Sequence, residues 1–114
     1  MKKLILAPAL CSCSILAFPQ TERQLIENTI QLYFDGWATG DTIKLGKAMH
    51  ASCHLKNYRD GKFTQFTRSQ YIALFKPRPK PANLVTNIVA LDISNNLGSA
   101  KVEIRTERVV FSDY

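Results

Sequence analysis

A chain of 114 residues, 46% hydrophobic and 21% charged, has room for one domain and is too ordinary in composition for a disordered, collagen-like or disulfide-stapled protein. Its formal net charge is +6, yet Lys and Arg are spread along it, and the densest run, Lys76-Pro-Arg-Pro-Lys-Pro81, reads as a solvated basic loop. A nucleic-acid surface needs cations gathered on one face with stacking aromatics, so nucleic acid is set aside as a partner.

Lys2 and Lys3 precede an apolar stretch of 15 residues, Leu4 to Phe18, and no charge follows until Glu22. A basic start, an apolar segment and then polar chain is the order of a secretory leader. The stretch is shorter than the ~20 residues of a spanning helix. Residues 1–20 are therefore expected to be an export leader, which places the domain in the periplasm or outside the cell. Without Lys2 and Lys3 the net charge is +4. Leu10-Cys11-Ser12-Cys13 partly resembles a bacterial lipobox with Cys13 as the acylated residue, although Cys11 directly before Ser12 departs from that pattern. Membrane contact would come only through this leader or a lipid on Cys13. The alternative, an N-terminal helix packed on the domain, is opposed by Pro8 and Pro19. Loss of the leader leaves Cys53 alone, and no Cys-x-x-Cys or Cys/His spacing suits a metal. Neither a metal nor a cofactor is expected.

Thr21 and Gln24 have capping-box spacing, with Glu22 placed to favour the helix dipole. Ile26, Ile30, Tyr33 and Trp37 then recur at helical intervals, flanked by Leu25, Leu32 and Phe34. This long helix should end near Thr39-Gly40, and Asp41 can cap a shorter one carrying Ile43, Leu45, Ala48 and Met49. Asp60-Gly61 is a two-residue hairpin signal. It sets Arg59 opposite Lys62, Tyr58 opposite Phe63, Asn57 opposite Thr64 and Leu55 opposite Phe66. Alternation puts Cys53, Leu55, Asn57, Thr64 and Phe66 on one face, and His54, Lys56, Tyr58, Phe63 and Gln65 on a wetter one. Thr67 and Gln70 repeat the capping-box spacing and open a third helix with Tyr71, Ile72 and Phe75, which Pro77, Pro79 and Pro81 prevent from continuing.

Leu84 to Ser94 is β-branched and apolar on both faces, the pattern of a central strand. Asn95-Asn96-Leu97-Gly98 makes the turn. Ala100, Val102, Ile104 and Thr106 then alternate with Lys101, Glu103, Arg105 and Glu107. The alternation breaks at Arg108-Val109-Val110, where a β-bulge would restore apolar residues to the inner face. The order α-α-β-β-α-β-β predicts α+β architecture with a strongly bent sheet.

Ile30-Gln-Leu-Tyr-Phe-Asp-Gly-Trp37 with Thr39-Gly-Asp41, the Asp60-Gly61 hairpin, and Ser99-Ala-Lys-Val-Glu-Ile104 with Val110-Phe-Ser-Asp-Tyr114 together resemble the nuclear transport factor 2-like superfamily, nearest its lumazine-binding and SnoaL-like polyketide cyclase subgroups. The resemblance covers residues 21–114. It implies a cone-shaped, curved antiparallel sheet wrapped around the long N-terminal helix, with a pocket between them. Family members continue into a closing strand with a Gly-x-Trp-type sequence, so the resemblance also implies a domain truncated at its C-terminus. The superfold hosts enzymes, binders and dimerisation modules alike.

Tyr33 lies eight residues before Asp41, where the resemblance to ketosteroid isomerases places an oxyanion-stabilising tyrosine. The competing and favoured reading is a core aromatic on the helix stripe. The same resemblance places the catalytic aspartate at Asn57, and asparagine cannot accept a proton near neutral pH. His54 falls on the Lys56 face, and His50 sits near the end of the second helix where a cation complements the dipole. Arg108 is a surface arginine if the bulge forms and an inward cation if it does not.

These residues favour an exported domain that binds a small, flat, mostly apolar or aromatic ligand in a cavity lined by Tyr33, Trp37, Leu55, Asn57 and Phe66, with no catalytic acid/base pair. An acid/base enzyme of cyclase, isomerase or dehydratase type using Tyr33 is the alternative, and it requires an Asp or Glu on the absent strand pointing at Tyr33. A third reading is a dimerisation module, with two copies paired through the sheet.

Overall fold

The computed structural model describes residues 20–114. Residues 1–19 of the expected leader, with Cys11, Cys13 and the two prolines argued against a helix there, lie outside the described residues. Helix α1 spans Glu22–Thr39, and its capping box is complete: Thr21 accepts from the Gln24 backbone and Gln24 returns a bond to Thr21. Gly40 ends the helix in the left-handed region at φ 67°. Asp41 then caps α2 (Thr42–Ala48) by accepting from the N–H groups of Ile43 and Lys44, both at 3.0 Å.

Strands β1 (His54–Arg59) and β2 (Lys62–Thr67) form a two-stranded antiparallel sheet in the expected register, with Leu55 opposite Phe66 and Asn57 opposite Thr64. Asp60 and Gly61 both have positive φ, 52° and 75°, as the predicted turn demands. A second capping box, Thr67 with Gln70, opens α3 (Arg68–Ile72). The helix stops at Ile72, short of the expected Phe75, because the chain tightens into i→i−3 bonds from Leu74 to Tyr71 and from Phe75 to Ile72.

Strands β3 (Val85–Ser94), β4 (Leu97–Arg105) and β5 (Val110–Asp113) make a three-stranded antiparallel sheet in that order. Two expectations change here. The central strand is β4, not β3: Val102 and Ile104 of β4 are buried, whereas Val85 and Val89 of β3 are exposed. The register shift falls in β3 between Ile88 and Ala90, not at residues 108–110. There the chain turns back instead of bulging. The Thr106 hydroxyl accepts from the N–H groups of Arg108 and Val109, which withdraws both from any ladder, and residues 106–109 become the turn of a hairpin. Arg108 is thereby an exposed turn residue.

Phe34, Val102 and Ile104 form the buried core between α1 and the larger sheet, with Ile30, Tyr33, Trp37, Ile88 and Phe111 packed against it. Leu45 of α2, fully buried, sits so close to Gly36 that a Cβ there would lie 2.8 Å from Leu45 Cγ. The architecture is α+β as expected, a long N-terminal helix followed by antiparallel strands, which hydrogen-bond as a two-stranded and a three-stranded sheet.

Candidate functional site

A cavity of about 710 Å³ opens between α1, the β1–β2 hairpin, α3 and β5. The five residues expected from sequence all line it: Tyr33 and Trp37 from α1, Leu55 and Asn57 from β1, and Phe66 from β2. Strand β1 contributes from both faces, since Lys56 and Tyr58 line it as well as Leu55, Asn57 and Arg59. The expected division into an inner face and a wetter outer face therefore does not hold there: β1 runs along the rim. His50 and His54 are exposed and away from the cavity, and the ring of His50 is engaged with Ser52 at 2.8 Å. The Asn57 side-chain oxygen accepts from the Thr64 hydroxyl across the hairpin.

The chemistry concentrates at the α1–β5 end. The Tyr33 hydroxyl donates to Asp113 Oδ2 at 2.9 Å and lies 3.0 Å from the Tyr71 hydroxyl. Each element delivers its group for a local reason. Tyr33 is a partly buried residue of α1 packed against the core, Tyr71 is held by the short helix that the second capping box starts, and Asp113 arrives because the 106–109 turn folds β5 back along β4. Burial pushes the Tyr33 phenol well above its ordinary value, and the neighbouring Tyr71 and Asp113 charges push the same way. Tyr71, 8% exposed, is also raised, first by burial. Both phenols stay protonated across the physiological range.

Aromatic walls continue from this trio. Trp37 meets Phe111 with centroids 5.6 Å apart, and Tyr71 meets Phe75 edge-on at 5.1 Å. The guanidinium of Arg78 lies 4.8 Å from the Trp37 centroid and donates to the carbonyls of Trp37 and Ala38, while its backbone N–H donates to Thr39 O at 2.8 Å. The last turn of α1 has no basic residue of its own. Arg78 therefore serves carbonyls that would otherwise lack partners. The Lys76–Pro81 run is the exposed loop expected, and Arg78 ties it to the end of α1.

Sequence reasoning did not find Tyr71, Arg78 or Asp113. It placed the acid that should face Tyr33 on a strand after Tyr114, whereas Asp113 already faces it. A smaller hollow of about 250 Å³ lies on another face of α1, next to Asp35 and Lys44, which are 3.8 Å apart. Among the described residues no group of three or more side chains is arranged to hold a metal, and no helix is long and apolar enough to cross a membrane.

A family model described as "Putative lumazine-binding" matches residues 21–114. The fold is similar to that of a solved NTF-2-like protein of unknown function from Silicibacter pomeroyi, with a TM-score of 0.65 and 13% identity over 76% of this chain and 74% of that one. No curated protein matches.

Proposed function

We propose a ligand-binding role for this chain, which belongs to the family described as putative lumazine-binding and has the nuclear transport factor 2-like fold. The observation that carries the proposal is the Tyr33–Tyr71–Asp113 trio at one end of a cavity of about 710 Å³ with aromatic walls. Such a site combines apolar area, which supplies affinity, with a few convergent polar groups, which fix orientation. The ligand this suits is a small flat molecule that stacks against Trp37 and Phe111. Export by the residue 1–20 leader is part of the same proposal.

Trp37 is the chain's one tryptophan, so its emission reports on the cavity directly. The family description makes lumazine the first probe. Saturable quenching of Trp37 by lumazine or another planar heteroaromatic supports the proposal. Unchanged emission and no calorimetric heat across a panel of such compounds count against it.

One observation favours a second reading, acid/base chemistry: a carboxylate, Asp113, lies 2.9 Å from the Tyr33 hydroxyl. Asp113 could take a proton from a bound ligand while Tyr33 stays protonated beside it. This reading predicts that a bound ligand is chemically altered on incubation with the protein and unaltered with Asp113→Asn. Recovery of intact ligand, by mass spectrometry, from both would exclude it.

A further inference from the structure

The hydrogen-bond inventory of the trio points to the kind of group it would receive. Tyr33 has one hydroxyl proton, and that proton goes to Asp113 Oδ2. The 3.0 Å contact between the two hydroxyls must then use the proton of Tyr71. Both phenolic protons are consumed inside the trio. What remains facing a ligand is acceptor capacity: the Asp113 carboxylate and the lone pairs of Tyr71. Partly buried acceptors of this kind favour a partner that brings its own hydrogen, and penalise one that brings another lone pair.

The rest of the lining has the opposite character. Lys56 and Arg59 on the β1 rim, and Arg78 over Trp37, place three cations around the cavity against the one carboxylate of Asp113. Among the described residues none of the three is in an ion pair. The tilted Trp37 and Phe111 rings line the same cavity.

We infer that the cavity selects a planar aromatic ligand with a ring N–H or O–H donor for the Asp113–Tyr33–Tyr71 end and an anionic group for the Lys56–Arg59 rim. This rests on the cavity being the ligand site, and deepens that reading by fixing the polarity of the ligand. The donor is read by half-buried groups and sets discrimination. The anion is read by exposed ones and sets encounter and salt dependence.

The test uses the full chain and three probes measured by calorimetry: indole-3-acetate, 1-methylindole-3-acetate, which has no ring N–H, and indole-3-acetamide, which has no charge. The expected order has indole-3-acetate tightest, with the N-methyl probe about tenfold weaker or more and the amide several-fold weaker at low salt. Asp113→Ala should abolish the N–H preference and keep the charge preference. Asp113→Asn, which keeps the side-chain volume, should weaken the N–H preference as well, and so separates hydrogen bonding from the bulk of the added methyl group. Lys56→Gln with Arg59→Gln should do the reverse. Tyr33→Phe, which leaves the carboxylate in place, should keep the N–H preference, and Asp113→Asn serves in place of Asp113→Ala if the alanine variant does not fold. Equal binding of the N–H and N-methyl probes by the unaltered protein, or an N–H preference that survives Asp113→Ala, overturns the inference while leaving the cavity as a binding site. If none of the probes binds, the inference falls, and only the Trp37 panel then decides whether the cavity binds any ligand.

Discussion

Tyr33 on α1 and Asp113 on β5 stand 80 residues apart in sequence and share a 2.9 Å hydrogen bond. The bond ties the short last strand to the first helix. It is charge-assisted and half-buried, conditions in which a hydrogen bond contributes more than it does at the surface. Tyr33→Phe and Asp113→Ala should each cost about 1–3 kcal/mol. The two losses should be non-additive, with a coupling of about 1–2 kcal/mol in a double-mutant cycle read by urea unfolding. Additive losses would mean that the bond contributes nothing in solution.

The tyrosines also set the alkaline limit of the fold. Their folded-state ionisation is pushed above the ordinary value of 10.0, so above about pH 10 the unfolded chain releases protons that the native one retains. Stability should be level with respect to these groups below pH 10 and fall above it, by up to ~1.4 kcal/mol per pH unit for each tyrosine. In a titration followed at 295 nm, part of the phenolate signal should appear only together with unfolding. Tyr33→Phe and Tyr71→Phe should each remove some of that part.

Arg78 holds the end of α1 from outside the helix. Its loss in Arg78→Ala should cost about 1–2 kcal/mol, combining unserved carbonyls with a lost cation–π contact. It should also shift Trp37 emission to the red as the ring loses its cover. Lys at this position should recover only part of the stability, since an ammonium cannot reproduce the guanidinium fork.

Gly40 and Gly61 share a left-handed backbone, φ 67° and 75°, but differ in their surroundings. A Cβ on Gly40 would come within 1.9 Å of Lys76 O, whereas one on Gly61 meets nothing within 4 Å. Gly61→Ala should therefore cost only the backbone term, about 1–2 kcal/mol. Gly40→Ala should cost distinctly more in thermal unfolding, because the 76–78 segment must also leave the helix end. Equal costs would show that this segment is not docked there.

The parts of the fold readable in the sequence were those governed by neighbours in the chain. Thr21 with Gln24, Thr67 with Gln70, the Asp60-Gly61 turn and the Gly40-Asp41 break each satisfy backbone groups within four residues, so spacing alone exposes them. The 106–109 turn was missed because Thr-Glu-Arg-Val contains none of the usual turn residues; its signal is the Thr106 hydroxyl capturing two backbone N–H groups. That one miss hid Asp113, which as part of an extended β4 would have had no reason to meet Tyr33. Strand β3 carried the apolar pattern of a central strand, but which strand lies in the middle is decided by long-range pairing, which local pattern does not encode. The five lining residues were reachable from helix and strand periodicity only together with the cone that the resemblance implied. Tyr71 and Arg78 were not, since they enter the site from elements whose placement depends on the tertiary packing.

The central claim, that the cavity bounded by Tyr33, Trp37 and Asp113 is the ligand site, is tested most directly by mapping amide shifts of the isotope-labelled chain on titration with a bound aromatic acid. The account predicts saturable shifts that cluster on Tyr33, Trp37, Leu55, Phe66, Tyr71 and Asp113. Shifts that saturate instead around Asp35, Lys44 and Lys80, with the Tyr33–Asp113 end unmoved, would contradict it.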